Sequence, residues 1–216
     1  MSILDKVILA ASAAKLFVAG TAEVRPEDRL PAGLKSVILL GPDEPAFWPW
    51  FEGQPEATDG RPDALDRWSR RVIGRLACDA GGKAYLPFSG PPYRPFIRWA
   101  ERSGRAFASP VGLLVHDTTG LFFSVRGAIA VRDVIEPVPA RNPCHTCTDQ
   151  PCRTACPAQA LTDRGYDVPG CHSFLDTGPG QDCMLRGCHV RRACPVGQDR
   201  RIAAQSAFHM KAFHPQ

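Results

Sequence analysis

Cys144-His-Thr-Cys147-Thr-Asp-Gln-Pro-Cys152-Arg-Thr-Ala-Cys156-Pro157 and Cys183-Met-Leu-Arg-Gly-Cys188-His-Val-Arg-Arg-Ala-Cys194-Pro195 are the two stretches that organise this 216-residue chain. With Cys171 between them, they carry eight of its nine cysteines. Both blocks close on Cys-Pro. The first spaces its cysteines C-x2-C-x4-C-x3-C-P and the second C-x4-C-x5-C-P. Pro151, just before the third cysteine, is expected to hold the widened loop of the first block extended, because a residue preceding proline disfavours the helical region.

Two Cys-Pro-closed blocks with eight cysteines resemble a bacterial two-cluster ferredoxin. There the run is C-x2-C-x2-C-x3-C-P, and the cysteine before the proline ligates the other block's cluster. Carried onto this chain, the rule groups Cys144, Cys147 and Cys152 with Cys194. It groups Cys183, Cys188 and Cys171 with Cys156. Eight thiolates are what two [4Fe–4S] clusters need.

Other uses of the same thiols remain open. Two four-cysteine zinc sites would also consume eight thiolates, although zinc pairs tend to come as two C-x2-C knuckles and only Cys144/Cys147 has that spacing. A disulfide framework suits small secreted domains rather than a chain of this length. Cys78 lies outside both blocks, on an expected helix, and reads as an ordinary buried thiol. His145, His172 and His189 each follow a cysteine. Eight cysteines already supply two clusters, so surface or supporting roles are expected of these rings rather than ligation.

Apolar residues make up 44% of the chain, enough for a packed core, so disorder is excluded. Proline and glycine, at 21 and 19 residues, point to a loop-rich fold. The net charge is only +4, with the excess in the cysteine region at Arg186, Arg191, Arg192, Arg200 and Arg201. These arginines are expected to be solvated or to offset thiolate charge, or else to form a docking face for an acidic redox partner protein or a nucleic acid. No RNA-binding motif accompanies them, so a tRNA partner is not expected. Residues 3–18 place Leu4, Val7, Ile8, Ala11 and Val18 at helical spacing, and Asp5 and Lys15 disrupt a leader-peptide pattern; an amphipathic helix is expected there. No apolar run is long enough to span a membrane, and a cytoplasmic protein is expected.

The remaining pattern predicts an α+β chain in two parts, residues 1–139 and 140–216. Ser36–Leu40 reads as a buried strand, and Phe47-Trp-Pro-Trp-Phe51 as an aromatic loop over the core edge. Residues 62–78 form a helix with Leu65, Trp68, Val72, Ile73 and Leu76 on one face. Lys83–Phe88 and Gly112–His116 are strand candidates, and Pro95 to Ser103 a helix. Phe123 to Val131 alternates apolar and polar residues, as a long half-buried strand would.

The order of these features resembles epoxyqueuosine reductase, a cobalamin- and iron–sulfur-dependent enzyme of tRNA modification. The resemblance covers most of the chain: Leu34–Leu40, Arg102–His116, Gly120–Val131, Cys156-Pro-Ala-Gln-Ala-Leu161 and Cys171-His-Ser-Phe-Leu175. It implies a small nitroreductase-like α/β domain followed by a ferredoxin-like module with eight cluster-binding cysteines, one at the position of Cys171. It also implies cobalamin and a small-molecule substrate. Two departures count against the full activity. Phe88, in Pro87-Phe-Ser-Gly-Pro91, stands where the family carries a proton-donating Asp, and a phenyl ring transfers no proton. The region before the cysteines is also shorter than the family's. The expected function is therefore one-electron transfer, with a cobalamin-dependent reductase as the alternative. His116 and Asp117, at a strand end, are the titratable groups expected nearest the N-terminal cavity.

Overall fold

The computed structural model describes residues 1–162 and 164–215. Its elements run α1 (Ile3–Ala13), β1 (Leu16–Glu23), β2 (Ser36–Pro42), α2 (Phe47–Glu52), α3 (Pro55–Thr58), α4 (Ala64–Asp79), β3 (Lys83–Tyr85), α5 (Phe96–Arg102), β4 (Ala106–Ala108), β5 (Leu114–His116) and β6 (Gly127–Val131). They continue with β7 (Leu161–Thr162), β8 (Gly165–Tyr166), α6 (Val168–Leu175), α7 (Gln181–Arg186), α8 (His189–Ala193) and α9 (Ala203–Phe213). The chain is mixed α+β with small antiparallel sheets.

The backbone forms two compact units. One comprises Met1–Arg105 with Ser124–Ala140; the other comprises Ala106–Phe123 with Arg141–Gln216. The sequence division at 139/140 treats the chain as two consecutive pieces. The units interleave instead, because segment 106–123 packs with the cysteine blocks.

In the first unit the sheet order is β1-β2-β6-β3, antiparallel throughout. Helix α4 packs on β3 and β6, and α5 on β1 and β2. Central strand β6 is buried at all five positions. The alternation from Phe123 onward is therefore not that of a half-buried strand: residues before Gly127 are irregular, and β6 lies between two neighbours with no solvent face. Gly127 is needed there, since a Cβ would stand 2.7 Å from Ile73 of α4.

Helix α1 is opened by a capping box in which Ser2 accepts from the Asp5 N–H and Asp5 accepts from the Ser2 N–H. It stops at Ala13 rather than running to residue 18. Lys15 turns the chain at φ 53°, and Leu16–Glu23 becomes an edge strand. The aromatic segment is likewise a helix, α2, with Phe47, Trp48 and Phe51 buried and Phe47 set edge-on to Trp68 at 5.1 Å. Pro49 is tolerated because it falls in the first turn, where an N–H has no intrahelical partner. Cys78, expected to be buried, is exposed. The buried face of α4 is Leu65, Trp68, Ser69, Ile73, Leu76 and Ala77, and Cys78 lies beyond its edge.

A buried ion pair ties α5 to the turn after β1. Asp28, fully buried, accepts from Arg102 at 2.5 Å and from the Arg25 N–H at 2.9 Å. Removing one partner of such a pair leaves an uncompensated buried charge. Arg102→Met is accordingly expected to destabilise the first unit by about 3 kcal/mol, and the double variant with Asp28→Asn to recover most of the loss. Urea unfolding followed by tryptophan fluorescence reads this unit alone, because all four tryptophans lie in it.

Candidate metal centre

Residues of the second unit arrange the cysteines in short turns rather than in a regular frame. Asn142-Pro-Cys144 and Gln150-Pro-Cys152 each open a 3-10 turn with proline at its start and cysteine next. Asn142 caps the first by accepting from the Cys144 N–H at 2.9 Å. Gln150 begins the second in a left-handed conformation, φ 40°. The widened loop before Cys152 is therefore curled, not extended as Pro151 suggests. The proline preference is overridden by the closure of a second cysteine-presenting turn.

Cys144, Cys147 and Cys152 stand with Cys194 around one pocket. Pro143, Pro151, Pro195, Val115, Leu121 and Val196 supply most of the remaining wall. Burial raises the pKa of the Cys144 thiol first, and the neighbouring Cys152, Cys194 and Cys147 add to it. Cys152 is raised in the same way, by burial and then by Cys194 and Cys147. Crowding of thiols in an apolar wall disfavours the thiolate until a cation offsets it.

The other four cysteines form a second neighbourhood. Cys171 sits on α6, Cys183 on α7, and Cys188 caps α8. Burial raises the Cys171 thiol, with Cys188 and Cys156 contributing, while a hydrogen bond from Tyr166 opposes the rise. Cys183 is raised by burial and then by Cys188, against a hydrogen bond from the His189 backbone. The β7–β8 hairpin presents Tyr166, whose hydroxyl donates to Cys171 Sγ at 3.4 Å. The backbone N–H of Ala160 donates to Cys156 Sγ at 3.3 Å.

None of the nine cysteines forms a disulfide. Among the described residues, no group of three or more His, Cys, Asp or Glu side chains draws together tightly enough to surround a single ion.

The three cysteine-following histidines turn elsewhere. His145 is exposed beside Asn142. His172 packs edge-on to Phe213 at 4.6 Å and near His214 at 4.5 Å. His189 Nε2 lies 2.7 Å from Asp182. His116 and Asp117 belong to the cysteine unit, not to the one expected to hold a cavity. The His116 ring is fully buried, stacked on Phe123 at 4.9 Å, with Nδ1 3.1 Å from Asp117 and 3.2 Å from the Thr118 N–H. Phe88 lies half-buried in a turn of the first unit with the Arg70 guanidinium 5.7 Å from its ring centre.

Sequence reasoning missed the segment that closes the first pocket. Val115, Leu121, Ser109 and Pro110 come from the β4–β5 hairpin and its surroundings, distant in sequence from every cysteine. Its turn fits against the second Cys-Pro because of two glycines. Gly120, at φ +59°, would place a Cβ 3.0 Å from Cys194 Sγ and nearer still to the Val196 carbonyl oxygen. Gly197, at φ +67°, would drive one to 2.8 Å from the Thr118 carbonyl oxygen. Arginines then bind this backbone. Arg191 donates to the Leu121 carbonyl at 2.6 Å; Arg201 donates to the carbonyls of Arg192 and Cys194 and lies 5.2 Å over the Phe122 ring. Arg192 is bound to Asp182 and the Gly187 carbonyl, and Arg186 to Asp182. Much of the positive excess is thus spent inside the unit.

No family model, curated protein or solved structure matches the chain.

Gly120→Ala is expected to open the Cys194 side of the first pocket. In metal-free protein, alkylation followed by mass spectrometry should show Cys194 reacting faster while Cys183 keeps its wild-type rate. Exposed Cys78 should be the first thiol modified in both proteins.

Proposed function

We propose that the cysteine-bearing unit holds two [4Fe–4S] clusters and that the protein transfers electrons one at a time. Cys144, Cys147, Cys152 and Cys194 would hold one cluster; Cys156, Cys171, Cys183 and Cys188 would hold the other. The observation that carries the reading is the meeting of three thiols of the first block with the Pro-followed thiol of the second around one apolar-walled pocket. Four thiols spaced around a wall suit a cubane, whose irons stand apart at its corners, better than a single zinc, whose ligands all meet at one point.

A bound cubane would supply reversible one-electron chemistry, and its iron would offset the burial and, after it, the mutual repulsion that raise the Cys144 and Cys152 thiols. The chain's own residues do the rest. Val115, Leu121, Val196 and the three prolines line the first pocket with hydrocarbon. Arg191 and Arg201 place positive charge beside Cys188 and Cys194 respectively. Such burial and charge set how readily a cluster accepts an electron.

In this reading the chain is akin to the epoxyqueuosine reductase family, with a ferredoxin-like unit beside a reduced nitroreductase-like one. Phe88 argues for an electron carrier serving a redox partner protein over a cobalamin-dependent reductase. The family's acid is replaced by a ring that lies under Arg70 and has no proton to give.

Anaerobically prepared protein should be brown and contain about eight irons, with matching acid-labile sulfide. Stoichiometric zinc without sulfide would falsify the reading. Cys194→Ala should remove the cluster of Cys144, Cys147 and Cys152, and Cys156→Ala the other, each halving the iron and deleting a different electron paramagnetic resonance signal. Loss of the same signal in both variants would refute the cross-ligation.

Unmodified protein supplied with cobalamin and a strong reductant should show no epoxyqueuosine reduction, since general-acid help is worth roughly 100- to 10,000-fold. Robust turnover would instead establish the reductase.

A further inference from the structure

The two cysteine sets differ in what is donated to their sulfurs. In the second set, the Tyr166 hydroxyl donates to Cys171 Sγ at 3.4 Å and the Ala160 N–H to Cys156 Sγ at 3.3 Å. In the first set, among the described residues, no comparable hydrogen bond reaches a cysteine sulfur. Its pocket wall is otherwise built largely from proline, valine and leucine.

Positive charge does not separate the sets in this way. Arg201 faces Cys194 and Arg153 faces Cys152, while Arg191 faces Cys188 and Arg192 faces Cys183. Asp182 and Asp167 act against the second pair of arginines. Burial is also similar: Cys152 and Cys194 are buried in one set and Cys183 in the other, with the rest partly covered. The hydrogen bonds are the asymmetry that remains.

A hydrogen bond donated to a ligand sulfur favours the more negative, reduced state and so raises the reduction potential. Resting on the two-cluster reading, we infer that Tyr166, with the N–H group of Ala160, makes the Cys156/Cys171/Cys183/Cys188 set the one that takes the first electron. With both clusters bound, an electron arriving on the Cys144/Cys147/Cys152/Cys194 set would move on to the second: the first would be oxidised by one electron and the second reduced by one, with no proton or bond changing hands. Tyr166 is a positioning residue here. Its backbone is paired with Leu161 of β7, and Phe213 of α9 stacks beside its ring at 6.1 Å.

The test is a stepwise reduction of the anaerobic full-length protein by dithionite with redox mediators, followed by electron paramagnetic resonance. Cys156→Ala and Cys194→Ala identify which signal belongs to which set. The signal lost in Cys156→Ala should appear first in the unmodified protein. In Tyr166→Phe that signal should move to lower potential. Its ratio of reduced to oxidised cluster at a fixed potential should fall roughly tenfold, which is 59 mV for one electron, while the other signal stays in place. A structural disturbance would not produce a second signature: in heavy water, the hydroxyl deuteron of Tyr166 coupled to the first-reduced cluster, present in the unmodified protein and lost in Tyr166→Phe while the amide deuteron of Ala160 remains. This measurement on the unmodified protein stands even if the variant loads poorly. Eight irons with the reverse order of reduction, or a coupled deuteron on the other cluster alone, would overturn the inference and leave the two-cluster reading intact. Zinc without sulfide would overturn both.

Discussion

Gly120 and Gly197 let two stretches of backbone touch, and the first cysteine pocket depends on that contact. The turn at 118–120 lies against the segment Cys194–Gly197 so closely that neither glycine has room for a methyl group. Both also sit at positive φ, where a side chain is strained whatever the space. The contact brings Cys194 to the wall shared with Cys144, Cys147 and Cys152 and supplies Val115 and Leu121 as apolar cover. A cysteine pocket in so loop-rich a unit has little regular structure to hold it. Close packing of backbone on backbone does the work that a sheet or long helix does elsewhere.

Backbone packed this way leaves carbonyl groups that need donors. The arginines meet that need. Arg191 reaches the Leu121 carbonyl, and Arg201 reaches those of Arg192 and Cys194. One set of side chains thus fastens the loops and brings positive charge near sulfur. The sequence admitted several uses for the arginines of this region: solvated surface, compensation of thiolate charge, or a docking face. Arg191 and Arg201 are committed to backbone carbonyls, while the Arg186 side chain stays exposed.

Crowded thiols with raised pKa are unfavourable neighbours for one another, and the arrangement makes physical sense as a place for a cation-rich group. The proposed clusters and the proposed order of reduction are linked through this point. The first pocket is walled largely by hydrocarbon, whereas in the second set Cys156 and Cys171 accept hydrogen bonds from Ala160 and Tyr166. Two sites of the same ligand chemistry can differ in electron affinity through that contrast alone.

Much of the grouping of cysteines was legible in the sequence, because Cys-Pro endings and thiol spacing are local properties of the chain. Helix starts and stops were legible for the same reason: the Ser2/Asp5 box and the run from Leu65 to Leu76 are read within a few residues. Other features belonged to the tertiary structure. The reversal at Lys15 split an apparently continuous helical pattern into α1 and β1. The central place of β6 in its sheet buried residues whose alternation suggested a solvent face. Cys78 fell just past the packed edge of α4 and is exposed. Most consequential for the site, the 106–123 hairpin and Tyr166 carry no local mark of their role. Periodicity and motif spacing report what neighbours in the chain do together. The hairpin meets sulfurs brought to it by loop closure, and that closure is decided by which backbones have room to touch; Tyr166 reaches Cys171 over a separation of 5 residues, through the fold of β8 and α6.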